Sequence, residues 1–126
     1  MPESKLGAAP AHFDLHDPIH MENVWHGMAE LNEHYNDQQN HLIPIKVLKA
    51  AYQLVQGSLH TYEVLVGESN HRRERIEAKE LTEENSSLKE GGKRFIYKIT
   101  LWTKNWMHFH QYEFEKIRSV PDTEQI

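Results

Sequence analysis

The side chains that could carry out catalysis in this 126-residue chain form no recognisable catalytic set. The chain has no cysteine, which excludes a thiolate nucleophile, a thiolate zinc site and a disulfide framework. No serine, histidine and acid combination, glycine-rich phosphate loop or paired carboxylate site stands out. We therefore expect a protein that binds a partner and is not an enzyme.

Histidines are the remaining candidates for metal binding, because the chain contains ten of them. His26, Glu30 and His34 follow one another at spacings that share a helix face. The outer two are about 12 Å apart along a helix, whereas zinc ligands lie about 2 Å from the ion, so they cannot bind the same metal. His108 and His110 share one side of a predicted strand but lack a third ligand. The sequence predicts no metal site and no cofactor.

Two predicted hairpin tips carry residues that folding does not obviously require. The first tip consists of Gln53, Leu54, Val55, Gln56 and Gly57. The second contains Asn105 and Trp106, and a tryptophan at a turn is difficult to bury in the protein's own core. Each tip joins alternate strand pairs, so both should lie at one end of the sheet. The alternatives are an ordinary turn at 53–57 and a tryptophan folded back onto the sheet, for which Trp102 is the better candidate.

One amphipathic helix should precede the strands. Asp17 and Pro18 match an N-cap followed by a first helical residue. Apolar residues then recur at three- and four-residue spacings until the helix ends near residues 36–37. The apolar stripe consists of Val24, Met28, Leu31 and Tyr35.

Period-two alternation predicts about four strands in hairpin succession. The first covers residues 43–54, with a bulge near Val47 where the alternation changes parity, and the second covers 59–66. A hairpin loop at 53–58 joins them. The other two strands cover 95–102 and 107–114, with the turn near 103–106, and the chain from Arg118 onward is expected to fray. Residues 1–19 are expected to be extended and mobile, and residues 68–93 have too little apolar surface for a core element.

Composition narrows the possible partners. With 38% hydrophobic and 26% charged residues, the profile is that of one soluble globular domain. The net charge of −5 lacks the positive field that nucleic acids and anionic membrane surfaces select, so we expect neither as a partner. No apolar stretch near Met1 has the character of a signal peptide. The expected location is therefore extracellular if such a peptide was removed, and cytoplasmic otherwise.

The hairpin tips resemble those of the cystatins. Residues 53–57 fit the Gln-x-Val-x-Gly hairpin, and residues 101–109 are similar to the second cystatin hairpin, with Trp106 in the place of its tryptophan. Leu6, Gly7 and Ala8 resemble the N-terminal trunk. Asn105 departs from the family by replacing the usual proline. The resemblance spans nearly the whole chain and implies a disulfide-free member, with the subfamily left open.

The resemblance implies an α+β, cystatin-like fold in which one long helix packs across a four- to five-stranded antiparallel sheet. The single domain would cover residues 1–126, with a trunk at 1–19 and a variable surface insertion at 68–93. It also implies a reversible, competitive inhibitor that occludes the cleft of papain-like cysteine proteases of the cathepsin L or B type. The alternative is a non-inhibitory binding module of the same fold.

The contact residues follow from the same resemblance. They are Leu6, Gly7, Ala8, Gln53, Leu54, Val55, Gln56, Gly57, Asn105 and Trp106. For Gly7 the alternative is an ordinary glycine in a disordered tail. Asn36 and Asp37 resemble a second site for asparaginyl endopeptidases, although such a pair also suits an ordinary helix-ending turn. The expected assembly is a monomer or a domain-swapped dimer.

Overall fold

The computed structural model describes residues 11–12 and 14–126, and it places one helix against a single antiparallel sheet. The five strands lie in the sheet in the same order as along the chain. The elements are β1 (Ala11–His12), α1 (Pro18–His34), β2 (Asn40–Val55), β3 (Gly57–Arg72), β4 (Arg94–Lys104) and β5 (Phe109–Val120). The predicted fold class, one long helix across a four- to five-stranded sheet, is confirmed.

Helix α1 begins as the sequence predicts. The Asp17 side chain accepts a hydrogen bond from the backbone N–H of Ile19 at 3.1 Å, and Pro18 is the first helical residue. The helix ends at His34, two residues earlier than expected, and Tyr35 caps it. Tyr35 is 45% exposed, so the buried stripe ends one turn sooner than the spacing suggested.

The main core lies between α1 and the concave face of the sheet. Its buried apolar residues are Val24, Met28, Leu31, Leu42, Val47, Ala50, Tyr62, Val64, Val66, Phe95, Tyr97, Ile99 and Phe114. The predicted alternation in β4 is confirmed, because Phe95, Tyr97 and Ile99 all face this core. A smaller cluster of Leu65, Ile96 and Val120 covers part of the opposite face.

Strand β2 is irregular, with several breaks in its register with β3. The predicted bulge near Val47 is present between Val47 and Lys49, and further shifts occur at Pro44/Lys46 and Asn40/Leu42. A proline cannot donate a ladder hydrogen bond, which is one reason for an irregularity at Pro44.

The boundaries predicted for the 68–93 insertion were wrong at the start. Strand β3 continues to Arg72, and Glu68 and Ser69 are buried although both are polar. The Glu68 side chain accepts a hydrogen bond from the backbone N–H of Lys93 at 2.8 Å, so its burial is satisfied by the far end of the same excursion. Hydropathy alone could not reveal a strand stabilised in this way. The excursion outside the sheet is therefore residues 73–93.

The prediction of a frayed C-terminus was also wrong. Strand β5 extends to Val120, which is only 5% exposed. Arg118 holds the following turn by donating two hydrogen bonds to the carboxylate of Glu124, at 2.9 and 2.6 Å. Met107, predicted to open this strand, belongs instead to a short 3-10 turn formed by Asn105–Met107.

Strand β5 is an edge of the sheet, and half of its exposed side chains are charged. The exposed side chains include Glu113, Glu115, Lys116 and Arg118. Among the described residues, no helix has both the length and the apolar character needed to cross a membrane.

A buried amide network joins the helix to the sheet at the end where α1 leads into β2. Asn32 is 1% exposed and donates to the carbonyls of Met28 and Leu42, both at 2.9 Å. Its side-chain oxygen accepts from the Leu42 backbone N–H at 2.7 Å and from the Asn36 amide at 2.8 Å. Asn36 in turn donates to the Asn40 carbonyl at 2.9 Å. Every member of this chain of contacts is satisfied, which makes it costly to interrupt.

We expect Asn32→Ala to lower the free energy of unfolding by about 2–4 kcal/mol, because it leaves both backbone groups of Leu42 without their buried partner. Urea denaturation followed by tryptophan fluorescence measures the change. Glu33→Ala is the matched control, since Glu33 is the exposed neighbour on the same helix and should cost less than about 0.5 kcal/mol. Equal effects of the two variants would contradict the role given to the network.

Candidate functional site

The first hairpin tip is tighter than the sequence indicated. A loop was predicted at 53–58, but β2 runs to Val55 and β3 starts at Gly57, which leaves Gln56 alone between two paired strands. Leu54 is 49% exposed at this tip, whereas Gln53 and Val55 are half-buried. The tip is therefore a narrow, ordered projection.

Gly57 is required at this tip by a close approach of two backbones. Its φ is +97°, in the region that favours glycine. A Cβ atom at this position would lie 2.0 Å from the carbonyl oxygen of Thr103, which no side chain could tolerate. The glycine therefore lets the first hairpin lie directly against the end of β4.

The second hairpin tip presents the exposed tryptophan that the sequence predicted. Trp106 is 67% exposed and Met107 is 59% exposed, so Trp106 does not fold back as a core residue. Asn105 opens the turn, which is closed by a hydrogen bond from the His108 N–H to the Asn105 carbonyl at 3.2 Å. His108 adopts a left-handed conformation with φ 51° to return the chain into β5. The turn is thus hydrogen-bonded without the proline usual in the family.

The two tips lie side by side, as predicted, because β3 and β4 pair to their ends. Ser58 pairs with Thr103 and Leu59 pairs with Trp102. The indole N–H of Trp102 donates a hydrogen bond of 2.7 Å to the carbonyl of Gln56, the apex residue of the first tip. This bond connects the second hairpin directly to the apex of the first.

No binding role was predicted for Trp102, yet its side chain is the one that connects the tips. Its ring packs edge-on against Phe109, with centroids 5.3 Å apart. The ammonium group of Lys104 lies 4.3 Å from the centroid of the Trp102 ring. The available signal was position, because Trp102, Lys104 and Phe109 flank the turn on one face of the predicted hairpin.

The trunk residues Leu6, Gly7 and Ala8 lie outside the described residues. The chain that follows them forms β1, where Ala11 pairs with Tyr52 and His12 with Ala51. Because this pairing is antiparallel, the N-terminal end of β1 faces the end of the sheet that carries the first tip. Strand β1 was not expected from the sequence, since two residues give no periodic signal.

Asn36 and Asp37 lie at the opposite end of the sheet, beyond the end of α1. The Asn36 side chain is 7% exposed and fully engaged in the buried amide network. Asp37 is exposed, and its pKa is lowered by a hydrogen bond from Gln38 and further by the Lys116 ammonium at 3.3 Å. These contacts favour a helix-ending turn, because Asn36 would have to leave its partners to enter another protein's pocket. The second inhibitory site stays a prediction.

Within the described residues, no three histidine, aspartate or glutamate side chains cluster closely enough to hold a metal ion. What the tips can offer a partner is therefore their shape, their exposed apolar side chains and their backbone hydrogen-bonding groups.

Comparison with known proteins identifies the fold and the family. No family model matches the chain. It is 45% identical over 104 residues to cystatin cpi-1 of Caenorhabditis elegans, which covers 82% of this chain and 74% of that protein. It is 31% identical over 93 residues to onchocystatin of Onchocerca volvulus, covering 74% of this chain and 56% of the relative.

Solved structures agree on the fold. The salivary cystatin of the soft tick Ornithodoros moubata superposes with a TM-score of 0.72 at 9% identity, over 86% of this chain and 95% of the other. Dimeric human cystatin F gives 0.70 at 15% identity, over 90% of each chain. The sequence identity to cystatin cpi-1 is high and extends over most of both chains, which establishes membership of the same family. The chain belongs to the cystatin family, a family of cysteine protease inhibitors and not of enzymes.

Proposed function

We propose that this chain is a reversible, competitive inhibitor of papain-like cysteine proteases, of the cathepsin L or B type, and that its two hairpin tips fill the active-site cleft. The observation that carries the proposal is the fixed, side-by-side placement of the tips at one end of the sheet. Gln56 and Trp106 are their outermost residues, and Trp102 ties the two hairpins together.

The shape of this edge suits a cleft. Neighbouring strands lie about 4.8 Å apart, so two adjacent hairpins make a blunt wedge about four strands wide. Leu54, Trp106 and Met107 expose apolar surface at its tips. Apolar side chains gathered at an exposed edge are typical of a protein-binding surface, and tryptophan often dominates the energy of such contacts.

The wedge is ordered before it binds. The hydrogen bond to Gln56 and the backbone contact at Gly57 hold the first tip against the second. Less conformational entropy is then lost on docking, which favours tight binding without a covalent bond. The proposed contact is non-covalent and lies in the active-site cleft, so we expect the complex to dissociate intact and inhibition to be competitive with substrate.

The trunk completes the proposed contact surface. The direction of β1 supports this assignment, because its N-terminal end faces the tip end of the sheet. Leu6 would fill an apolar substrate pocket, and Gly7 would let the backbone turn away from the reactive thiolate.

Titration of papain and of a cathepsin L-type enzyme tests the proposal directly. We expect inhibition at or below micromolar concentration, with the apparent inhibition constant rising linearly with substrate concentration. Trp106→Ala should weaken binding by about 2 kcal/mol or more, about thirtyfold in Kd, because it removes the exposed aromatic anchor. The control is Ile117→Ala, which truncates an exposed apolar residue of β5 away from the tips. Absence of inhibition at micromolar concentration would refute the proposal.

Trp102→Phe tests whether the tips act as a unit. The variant keeps an aromatic ring against Phe109 but removes the N–H that reaches the Gln56 carbonyl. We expect a loss of about 1 kcal/mol, roughly fivefold in Kd. Hydrogen exchange around Gly57 should accelerate while the midpoint of thermal unfolding changes little. Unchanged affinity together with faster exchange would show that the ordering of this tip does not contribute to binding.

Removal of residues 1–8 separates an inhibitor from a non-inhibitory module of the same fold. An inhibitor that uses Leu6 in a substrate pocket should lose about tenfold or more in affinity, since burial of such a side chain contributes about 1.5–3 kcal/mol. Removal of residues 1–4 alone is the control, because it keeps Leu6, Gly7 and Ala8. If both truncations bind as the full chain does, the trunk takes no part in the contact.

A further inference from the structure

The proposed wedge differs in charge from the rest of the molecule. The chain has 19 acidic residues and a net charge of −5. None of the acidic residues lies in 49–62, which covers the first tip, or in 99–112, which covers the second. The basic side chains in these two segments are Lys49, Lys104, His60, His108 and His110. The two described hairpins of an acidic protein thus have tips free of carboxylates.

The sheet places the nearest carboxylates of its hairpins well away from the tips. Glu63 is the first along β3, six residues beyond Gly57 and hence about 20 Å along the strand, and it pairs with Lys49 at 3.9 Å. Glu113 is the first along β5, four residues after Phe109 and about 13 Å from it. The Debye length at physiological ionic strength is about 8 Å. The field of these carboxylates is therefore largely screened at the tips.

Lys104 supplies a positioned positive charge beside both tips. It immediately precedes the Asn105 turn, and its ammonium lies 4.3 Å from the Trp102 ring centroid and 5.1 Å from that of Phe109. Burial, together with the charge of His20, lowers the pKa of His60, so His60 adds little positive charge near neutrality. His108 and His110 are exposed on the return side of the same turn. Within the described hairpins, the formally charged side chain nearest the two turns is therefore a lysine, although the chain as a whole is negative.

We infer that the wedge is built for cysteine proteases whose cleft rim carries an excess of carboxylates, and that this charge difference speeds association and orients the inhibitor tips-first. A uniformly negative inhibitor would be repelled by such a rim, whereas this one offers the rim its only carboxylate-free end among the described hairpins. Complementary charge of this kind acts mainly on the association rate. The inference rests on the proposed inhibitory function and names the class of target.

Stopped-flow association rates with two papain-like proteases test the inference. One enzyme is chosen with an acid-rich cleft rim and the other with a base-rich rim. For the acid-rich enzyme we expect the rate to fall several-fold between 0.1 and 1 M salt, over which the Debye length shrinks from about 10 to about 3 Å. For the base-rich enzyme the rate should start lower and rise with salt. Equal or salt-independent rates for the two enzymes would overturn the inference.

A pair of nearly isosteric variants separates local charge from net charge. Asn105→Asp adds one negative charge at the second tip, and Gln39→Glu adds one at the opposite end of the sheet, before β2. We expect Asn105→Asp to slow association with the acid-rich enzyme about two- to fivefold at 0.1 M salt, with the difference vanishing at 1 M. Gln39→Glu should leave the rate unchanged, and equal slowing by both variants would overturn the local effect.

The dissociation constant distinguishes failure of the charge inference from failure of the proposed function. Tight inhibition would support the proposed function even if the association rate changed with neither salt nor the two substitutions. Such unchanged rates would overturn the charge inference. Absence of inhibition of both enzymes at micromolar concentration would refute the proposed function, and the inference with it.

Discussion

The close approach of two backbones at Gly57 and Thr103 is the constraint on which the shape of the proposed binding end depends. Because Gly57 has no Cβ, β3 can pair with β4 right up to the turn of each hairpin. The Trp102 side chain can then span the gap and donate to the apex carbonyl of Gln56. Without the glycine, the first tip would be displaced from the second, and the wedge would become two separate projections.

The opposite end of the sheet is where hydrogen bonds join the helix to the strands. There the side-chain amides of Asn32, Asn36 and Asn40 donate hydrogen bonds to backbone carbonyls, and no apolar contact could replace these bonds. Arg73 adds to the same end by donating to backbone carbonyls after the helix. Anchoring at this end leaves the tip end free to expose apolar side chains. The contacts that hold the fold together and the surface proposed for binding thus lie at opposite ends of the strands.

Much of this arrangement could be predicted from residue patterns. The cap at Asp17 and Pro18 and the alternation in β4 are local signals that the structure confirms. The extent of β3 and β5 could not be predicted, because Glu68 and Arg118 are held by partners 25 and 6 residues away, which no local pattern reveals.

At the two hairpin tips, too, features set by local sequence could be predicted, and features set by distant contacts could not. Exposure of Trp106 followed from its place at a turn, whereas the role of Trp102 depended on where the neighbouring hairpin ends. The net charge of −5 is a sum over the chain, and it hides how the charges are distributed.

The composition of β5 has a consequence for how the protein behaves at high concentration. An edge strand offers unpaired backbone groups to any other strand, and this one surrounds them with outward carboxylates, a lysine and an arginine. A second chain that tried to extend the sheet would have to desolvate those charges. Stacking of copies into fibres through this edge is thereby discouraged.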